Sequence, residues 1–188
     1  MDQLAARVGD SLARQLSLTG ERQEVVTFGA LALLHNGTTL AVTLGAGALL
    51  GLLPEVAVAL GTAAALRHVS GGFHLSTPLR CLVASATFFC LAAVGGRWAL
   101  LWLGSPLGVP LVLTLLLAGL VPVFRYAPAA ATHRPLSEAH RLRLRRQALW
   151  LVTVTAALFG AGAMAHAWWS MPGLIALAVQ GLSLALKP

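Results

Sequence analysis

A short polar stretch between two strongly apolar segments holds the residues of this chain that are best suited to chemistry. Residues 67–81 read RHVSGGFHLSTPLRC and contain two histidines, two arginines, a glycine pair, a proline and a cysteine. The flanking runs, AVALGTAAAL and LVASATFFCLAAV, are almost wholly apolar. Because polar groups between membrane-grade segments are energetically costly, this stretch is a candidate site.

The spacing of His74 and Cys81 decides how the two side chains can meet. On one unbroken helix, seven residues would place them on the same face but about 10 Å apart along the axis, too far for a hydrogen bond. Proline favours the first position of a helix, and threonine before it is a good N-cap. We therefore predict a helix that begins at Pro78 after Thr77, with Cys81 in its first turns. His74 stays in the preceding glycine-flanked loop and can fold back over the helix start.

This arrangement would suit nucleophilic catalysis by a thiol. The helix N-terminus, Arg80 and a histidine would each stabilise a thiolate at Cys81. In a Cys–His pair the imidazole takes the thiol proton and later protonates the leaving amine. Backbone N–H groups at the helix start could stabilise an oxyanion. Gly71 and Gly72 allow a tight loop and the close approach of a peptide backbone.

Composition and spacing alone leave two other interpretations open. A cysteine in a membrane helix often only packs, and a histidine in a loop often only faces water. A metal site would need clustered ligands, but the chain has no CxxC or HExxH pattern and its six acidic residues are scattered. We therefore expect no metal and no cofactor. Without further comparison, the residues indicate a membrane protein with a Cys–His site and no more specific function.

The overall composition places the chain in a membrane. It has 188 residues, of which 57% are hydrophobic and 10% charged, with a mean hydropathy of +0.80. A soluble domain of this size would need far more charge on its surface. The net charge of +7 comes mainly from arginines beside apolar segments. The positive-inside rule and anionic lipid headgroups explain them more simply than nucleic acid, so we expect no nucleic-acid partner.

The apolar runs predict an all-α, polytopic integral membrane protein with about six transmembrane helices. The runs cover residues 25–50, 56–66, 82–94, 111–124, 148–165 and 172–186. The second run is only about half a bilayer long, so its span starts earlier or the polar motif lies at membrane depth. GGR at 95–97 is predicted to mark the far end of the third span. Six spans put both termini, the motif and a basic loop at 125–147 on one side, which the positive charge makes the cytoplasm.

The N-terminal segment, residues 1–24, is predicted to be a cytoplasmic amphipathic helix. Leu4, Val8, Leu12 and Leu16 share one side of a helical wheel, whereas the charged side chains lie mostly elsewhere. Such a helix can lie on the inner leaflet or pack on the rest of the protein, and the two are compatible.

The motif also resembles that of a known family, AgrB, which comprises bacterial membrane cysteine endopeptidases that process quorum-sensing propeptides. The residues that carry this resemblance, in order, are Arg67, Gly71, Gly72, Phe73, His74 and Cys81. YAPAAATHRPLSEAHRLRLRR at 126–146 resembles the family's cytoplasmic loop, and EVVTFGALALLHN at 24–36 resembles its opening span. The resemblance covers most of the chain and implies a single membrane domain over residues 1–188, with residues 67–81 as the catalytic motif.

By this resemblance, Cys81 is the nucleophile and His74 its general base and acid, while Arg67 and Gly72 have structural or substrate-positioning roles. The thiolate would cleave the C-terminal tail from an AgrD-type precursor and retain a peptidyl thioester. A cysteine or serine within the peptide would then attack that acyl group and close a thiolactone or lactone. A recessed site that excludes water would favour this exchange over hydrolysis.

Two departures from the family pattern are small, since Phe73 replaces a tyrosine and the basic residues are nearly all arginine. More serious is that no acidic residue lies near His74, so a backbone carbonyl, or Glu24 brought in by folding, would have to orient it. Five arginines are candidates for contact with an acidic precursor tail: Arg134, Arg141, Arg143, Arg145 and Arg146. Their positive charge is also explained by its ordinary role in setting the membrane topology.

The expected partners are an AgrD-like propeptide and the lipid bilayer, in the bacterial cell membrane. Many family members act as dimers, and the apolar surface would allow a homodimer. The main alternative is a non-catalytic small membrane transporter or assembly factor that uses the polar motif as a ligand site. An intramembrane metalloenzyme is a further rival.

Overall fold

The fold is entirely helical in the part that the computed structural model describes, which is residues 7, 9, 11, 13–15, 17, 20–72, 77–129 and 137–186. Six long helices follow one another there: α1 Glu21–Leu49, α2 Leu53–Ser70, α3 Pro78–Trp102, α4 Gly108–Tyr126, α5 Glu138–Met164 and α6 Ser170–Ala185. The predicted all-α class is confirmed.

The number of spans is not confirmed at six. Within the described ranges, four helices are long and apolar enough to cross a membrane: residues Arg22–Leu49 of α1, together with α3, α4 and α5. The helix α6 is apolar but has only 16 residues, or about 24 Å at 1.5 Å per residue. The helix α2 has 18 residues, with Glu55 in its first turn and Arg67 in its last, which shortens its apolar centre. The helices therefore support a membrane protein with four candidate spans.

Successive helices run in opposite directions, which gives the bundle two distinct ends. The short connections at residues 50–52, 103–107 and 165–169 lie at one end, and residues 71–72, 77 and 127–129 lie at the other. Contacts between helix ends agree with this order, because the Ala129 N–H donates to the Ser70 carbonyl at 2.9 Å. We call the end with Gly71, Thr77 and Ala129 the motif end.

The last helix, α6, is the centre of the bundle. It contacts α2, α3, α4 and α5, and most of its side chains are buried. Its backbone approaches that of α4 closely: a Cβ at Gly181 would lie 2.5 Å from the Gly119 carbonyl oxygen and 2.8 Å from that of Ala118. Small residues at such crossings let membrane helices pack through close van der Waals contact, since burial of apolar surface gives little between helices in lipid.

The crossing of α4 and α6 gives a stability prediction. Gly181→Ala is expected to lower the free energy of unfolding in detergent by about 1–3 kcal/mol, because its methyl group meets backbone atoms that cannot move aside. The matched control is Gly61→Ala in α2, where nothing lies within 4 Å of the added Cβ. Alanine's better helix propensity should leave that variant unchanged or slightly stabilised. Thermal unfolding that shifts equally in both variants would contradict this account of the packing.

The third helix corrects one sequence prediction, since α3 continues through Gly95–Arg97 to Trp102 instead of ending there. The glycines serve a helix contact rather than a turn. A Cβ at Gly96 would lie 2.6 Å from Cγ of Pro172 in α6. The sequence could not distinguish the two uses, because both need a residue without a side chain.

Arg97 stays within α3 because it has acceptors beside the helix. Its Nε donates to Glu55 Oε1 at 2.6 Å, and its Nη2 donates to the Gly51 carbonyl at 3.0 Å. The Glu55 side chain is only 8% exposed, whereas that of Arg97 is 53% exposed. A buried carboxylate requires a charged partner, so this pair connects the start of α2 to α3.

In the basic segment at 125–147, residues 125–126 and 138–147 are helical. The helix α4 continues to Tyr126 and α5 begins at Glu138, so the connection between them is confined to residues 127–137. The span predicted to start at 148 thus begins ten residues earlier along the same helix. An acidic residue in the first turn favours this start, because it complements the positive end of the helix dipole.

Most of the N-terminal segment lies outside the described residues. Arg7, Gly9, Ser11 and Ala13–Gln15 are helical. Gly9 lies against α1, where its added Cβ would be 2.7 Å from Cα of Thr27, and Ala13 is buried. These positions pack on the bundle, and a location of the segment on the inner leaflet stays a prediction.

Candidate active site

The start of α3 is built as the sequence predicts. Thr77 has an extended backbone, with φ −131° and ψ 145°, and its Oγ1 accepts a hydrogen bond from the Arg80 N–H at 3.3 Å. Pro78 occupies the first helical turn, where its missing N–H has no cost. The Cys81 N–H donates to the Thr77 carbonyl at 3.1 Å. Cys81 therefore lies in the first turn of α3, at the positive end of the helix dipole.

Both cysteines of the chain are free thiols, and both are half-buried. Cys81 is at the motif end, whereas Cys90 lies nine residues further along α3 and packs beside the cluster formed by α2, α3 and α6. The position of Cys90 agrees with a packing role. Only Cys81 is within reach of a helix terminus.

The glycine pair forms the turn that follows α2. Gly71 has φ 75° and ψ −156°, a conformation that is essentially confined to glycine, and its N–H donates to the Arg67 carbonyl at 2.9 Å. Gly72 has φ 156°. Added Cβ atoms would lie 3.1 Å from Cβ of Ala129 at position 71 and 3.2 Å from Nε2 of Gln180 at position 72. Both glycines are therefore required by backbone conformation or by space.

The turn is held by a residue that the sequence analysis missed, Gln180 of α6. Its side chain is buried, and its Nε2 donates to the Gly71 carbonyl at 2.8 Å and to Ser70 Oγ at 3.4 Å. Ser70 is fully buried, and its Oγ donates to the Leu66 carbonyl at 2.8 Å. A single glutamine within an otherwise apolar terminal helix was the available signal, because such residues are costly in a membrane unless they bond.

The other candidate residues that the structure describes here lie in terminal turns of helices at the motif end. Arg67 lies half-buried in the last turn of α2, and its Cγ would be 3.9 Å from a Cβ at Gly72. Arg80 has an exposed side chain at the start of α3. Glu24 is exposed in the first turn of α1. Its role in orienting His74 stays a prediction.

Two candidates cannot be placed, since His74 and Arg134 lie outside the described residues. The remaining basic candidates are all exposed on the first turns of α5, ahead of its first buried residue, Ala148: Arg141, Arg143, Arg145 and Arg146. No group of three or more histidine, cysteine, aspartate or glutamate residues suited to a metal ion occurs among the positions described.

These observations define a class of protein: a helical membrane protein with a free cysteine in the first turn of a helix, next to a glycine turn held by a neighbouring helix. The comparison with protein families gives a match to Accessory gene regulator B (AgrB) over residues 5–184, nearly the whole chain. The protein belongs to this family. Neither the comparison with curated proteins nor that with solved structures found a match.

Membership of the family connects the protein to the accessory gene regulator system of quorum sensing. It implies association with a membrane, in agreement with the apolar helices, and a propeptide partner.

Proposed function

We propose that the protein is a membrane cysteine endopeptidase that removes the C-terminal tail of an AgrD-type propeptide and assists cyclisation of the remaining peptide. The observation that carries the proposal is the position of Cys81, a half-buried free thiol in the first turn of α3. The partial positive charge of a helix N-terminus favours an anion there, and a thiolate is the reactive form of cysteine.

The first chemical step is an acyl transfer to sulfur. His74 takes the proton of the Cys81 thiol, and the thiolate attacks the carbonyl carbon of the scissile peptide bond. As the tetrahedral intermediate collapses, the C–N bond breaks and His74 returns the proton to the leaving amine. The products are a free C-terminal tail and a peptidyl thioester on Cys81.

Backbone N–H groups at the start of α3 would stabilise the oxyanion of this step. Pro78 has no N–H, and those of Arg80 and Cys81 already donate to Thr77. The N–H of Leu79 is the remaining donor of the first turn, so we assign it to the oxyanion. A fixed backbone donor is effective there because it requires no reorganisation during the reaction.

The second step transfers the acyl group from Cys81 to a cysteine or serine within the peptide. His74 takes the proton of the internal thiol or hydroxyl, which attacks the thioester carbonyl and closes the thiolactone or lactone. The C–S bond to Cys81 breaks, and the leaving thiolate receives the proton from His74. Exchange of one thioester for another is nearly thermoneutral. A site that excludes water would therefore favour cyclisation over hydrolysis.

The exposed arginines at the start of α5 would attract the acidic tail of the precursor. Arg141, Arg143, Arg145 and Arg146 lie within six residues on the first turns of α5, and all four are exposed. Such a cluster beside an anionic leaflet raises the local concentration of an acidic ligand. By the positive-inside rule, the same charges favour an orientation in which the motif end and both termini face the cytoplasm of a bacterial cell.

The test is cleavage of the precursor by the purified protein in lipid vesicles. The AgrD-like peptide encoded beside its gene should be converted to a free tail and a cyclic product, both detected by mass spectrometry. An inert protein that nevertheless binds or transports the peptide would favour the transporter or assembly-factor alternative. Loss of cleavage with a chelator would favour a metalloenzyme.

A further inference from the structure

The hydrogen bonds of Gln180 join α6 to the turn that follows α2, and packing alone does not explain them. The residue is 5% exposed in a helix whose other buried side chains are apolar or small, so its amide must be bonded to be tolerated. It reaches across to α2 and donates to the Gly71 carbonyl at 2.8 Å. That carbonyl belongs to the first residue after α2, not to the helix itself.

Two segments that are distant in sequence, α6 and the residues just beyond α4, donate hydrogen bonds to this turn. The Ser70 carbonyl accepts from the Ala129 N–H, just beyond α4, at 2.9 Å. The Gly71 carbonyl accepts from Gln180 of α6, and the Gly71 N–H is bound within α2 to the Arg67 carbonyl. The turn is therefore fixed relative to the ends of three helices, α2, α4 and α6.

The chain leaves this turn and, five residues after Gly72, reaches Thr77, the N-cap of the helix that carries Cys81. The turn thus sets where the segment between the two helices begins. A misplacement of about 1 Å at a reacting group can lower a rate about 100-fold, so the anchoring of such a segment affects catalysis.

We propose that Gln180 is a positioning residue of the Cys81 site: its amide fixes the Gly71–Gly72 turn, from which the catalytic motif continues to the start of α3. This inference rests on the proposed function for its effect on turnover. Its effect on the reactivity of Cys81 can be measured without any precursor.

The test compares Gln180→Met, which keeps the volume and removes the donor, with Ser183→Ala one turn further along α6. Ser183 Oγ donates to the Gln180 carbonyl of its own helix at 2.7 Å and would lie 3.2 Å from a Cβ at Gly72. Its loss therefore changes the packing beside the turn but leaves the bond from Gln180 intact, which separates the two effects. Each variant is made in a Cys90→Ala background, so that iodoacetamide reports on Cys81 alone. Alkylation rates are measured against pH in vesicles, and kcat and KM are measured with the precursor.

Gln180→Met is expected to lower kcat about 10- to 100-fold with KM changed less than about threefold. Its alkylation profile should shift from that of the parent towards that of His74→Ala. Ser183→Ala should match the parent in both measurements. A Gln180→Met protein with parental kcat and a parental alkylation profile would overturn the inference.

Two further results keep the inference separate from the proposed function and from folding. If the parent cleaves no precursor but its alkylation profile depends on both His74 and Gln180, the positioning role stands and the peptidase proposal falls. If Gln180→Met does not fold, Gln180→Asn replaces it. That variant keeps a buried amide, but its side chain is one methylene shorter, so the N–H donor lies further from the Gly71 carbonyl. The same shift in the profile and fall in kcat are then expected, and their absence overturns the role.

Discussion

Replacing Cys81 by alanine is expected to abolish precursor cleavage, with a fall in kcat/KM of at least about a thousandfold. Without the sulfur there is no nucleophile and no thioester, and neither proposed step can occur. Cys81→Ser should lose nearly as much, because a hydroxyl is a weak nucleophile in a site built for a thiolate. The measurement is the rate of tail release from vesicle-bound enzyme.

The chain offers a matched control for this change in Cys90→Ala. Cys90 lies in the same helix, is also half-buried, and packs away from the helix terminus. Its replacement is expected to leave cleavage within about twofold, as is usual for a substitution that does not touch the reacting groups. Cleavage that survives in Cys81→Ala would show that the motif is not a thiol site.

The second large effect is expected for His74→Ala, which should lower kcat by about 100- to 10,000-fold, the usual contribution of general acid–base catalysis. Both proton transfers of the first step depend on this imidazole, so KM should change far less than kcat. Steady-state kinetics with the precursor separates the two parameters.

His68→Ala is the control for this prediction. His68 is exposed in the last turn of α2, six residues before His74 and outside the glycine turn. The His68→Ala variant should cleave the precursor at close to the parental rate. If His74→Ala and His68→Ala cleave the precursor at the same rate, His74 is not the general base of the Cys81 thiol.

The start of α3 could be predicted from the sequence because its determinants are local. Thr77 and Pro78 specify a helix N-terminus through their own backbone preferences, independent of any partner. The position of Cys81 in the first turn follows directly from that start. The all-α class and most apolar segments were predictable for a similar reason, since they depend on composition along a single stretch.

The errors and omissions arose where the structure depends on distant contacts. Gly95–Arg97 looks like a helix end until Pro172 and Glu55 are seen beside it. Gln180 has no motif of its own, and its importance depends on a turn 109 residues earlier. Hydrogen bonds between distant helices cannot be inferred from one sequence, because no local preference encodes the partner.

The number of spans illustrates a different limit. Hydropathy identified six apolar segments, but α2 has charges near both ends and α6 is short. Length and composition therefore qualify four helices among the residues that the structure describes. The shortness of the second segment was visible in the sequence. The burial of α6 at the centre of the bundle was not, since an apolar run looks the same whether it faces lipid or protein.

The most direct test of the central claim is to trap the acyl-enzyme. The protein in vesicles is incubated with a precursor whose internal cysteine or serine is replaced by alanine, so that the thioester cannot be resolved by cyclisation. Mass spectrometry of the intact protein and of its peptides should then show the N-terminal part of the precursor attached to Cys81, with loss of the adduct on treatment with hydroxylamine. Release of the tail without any adduct on Cys81 would contradict covalent catalysis at this residue.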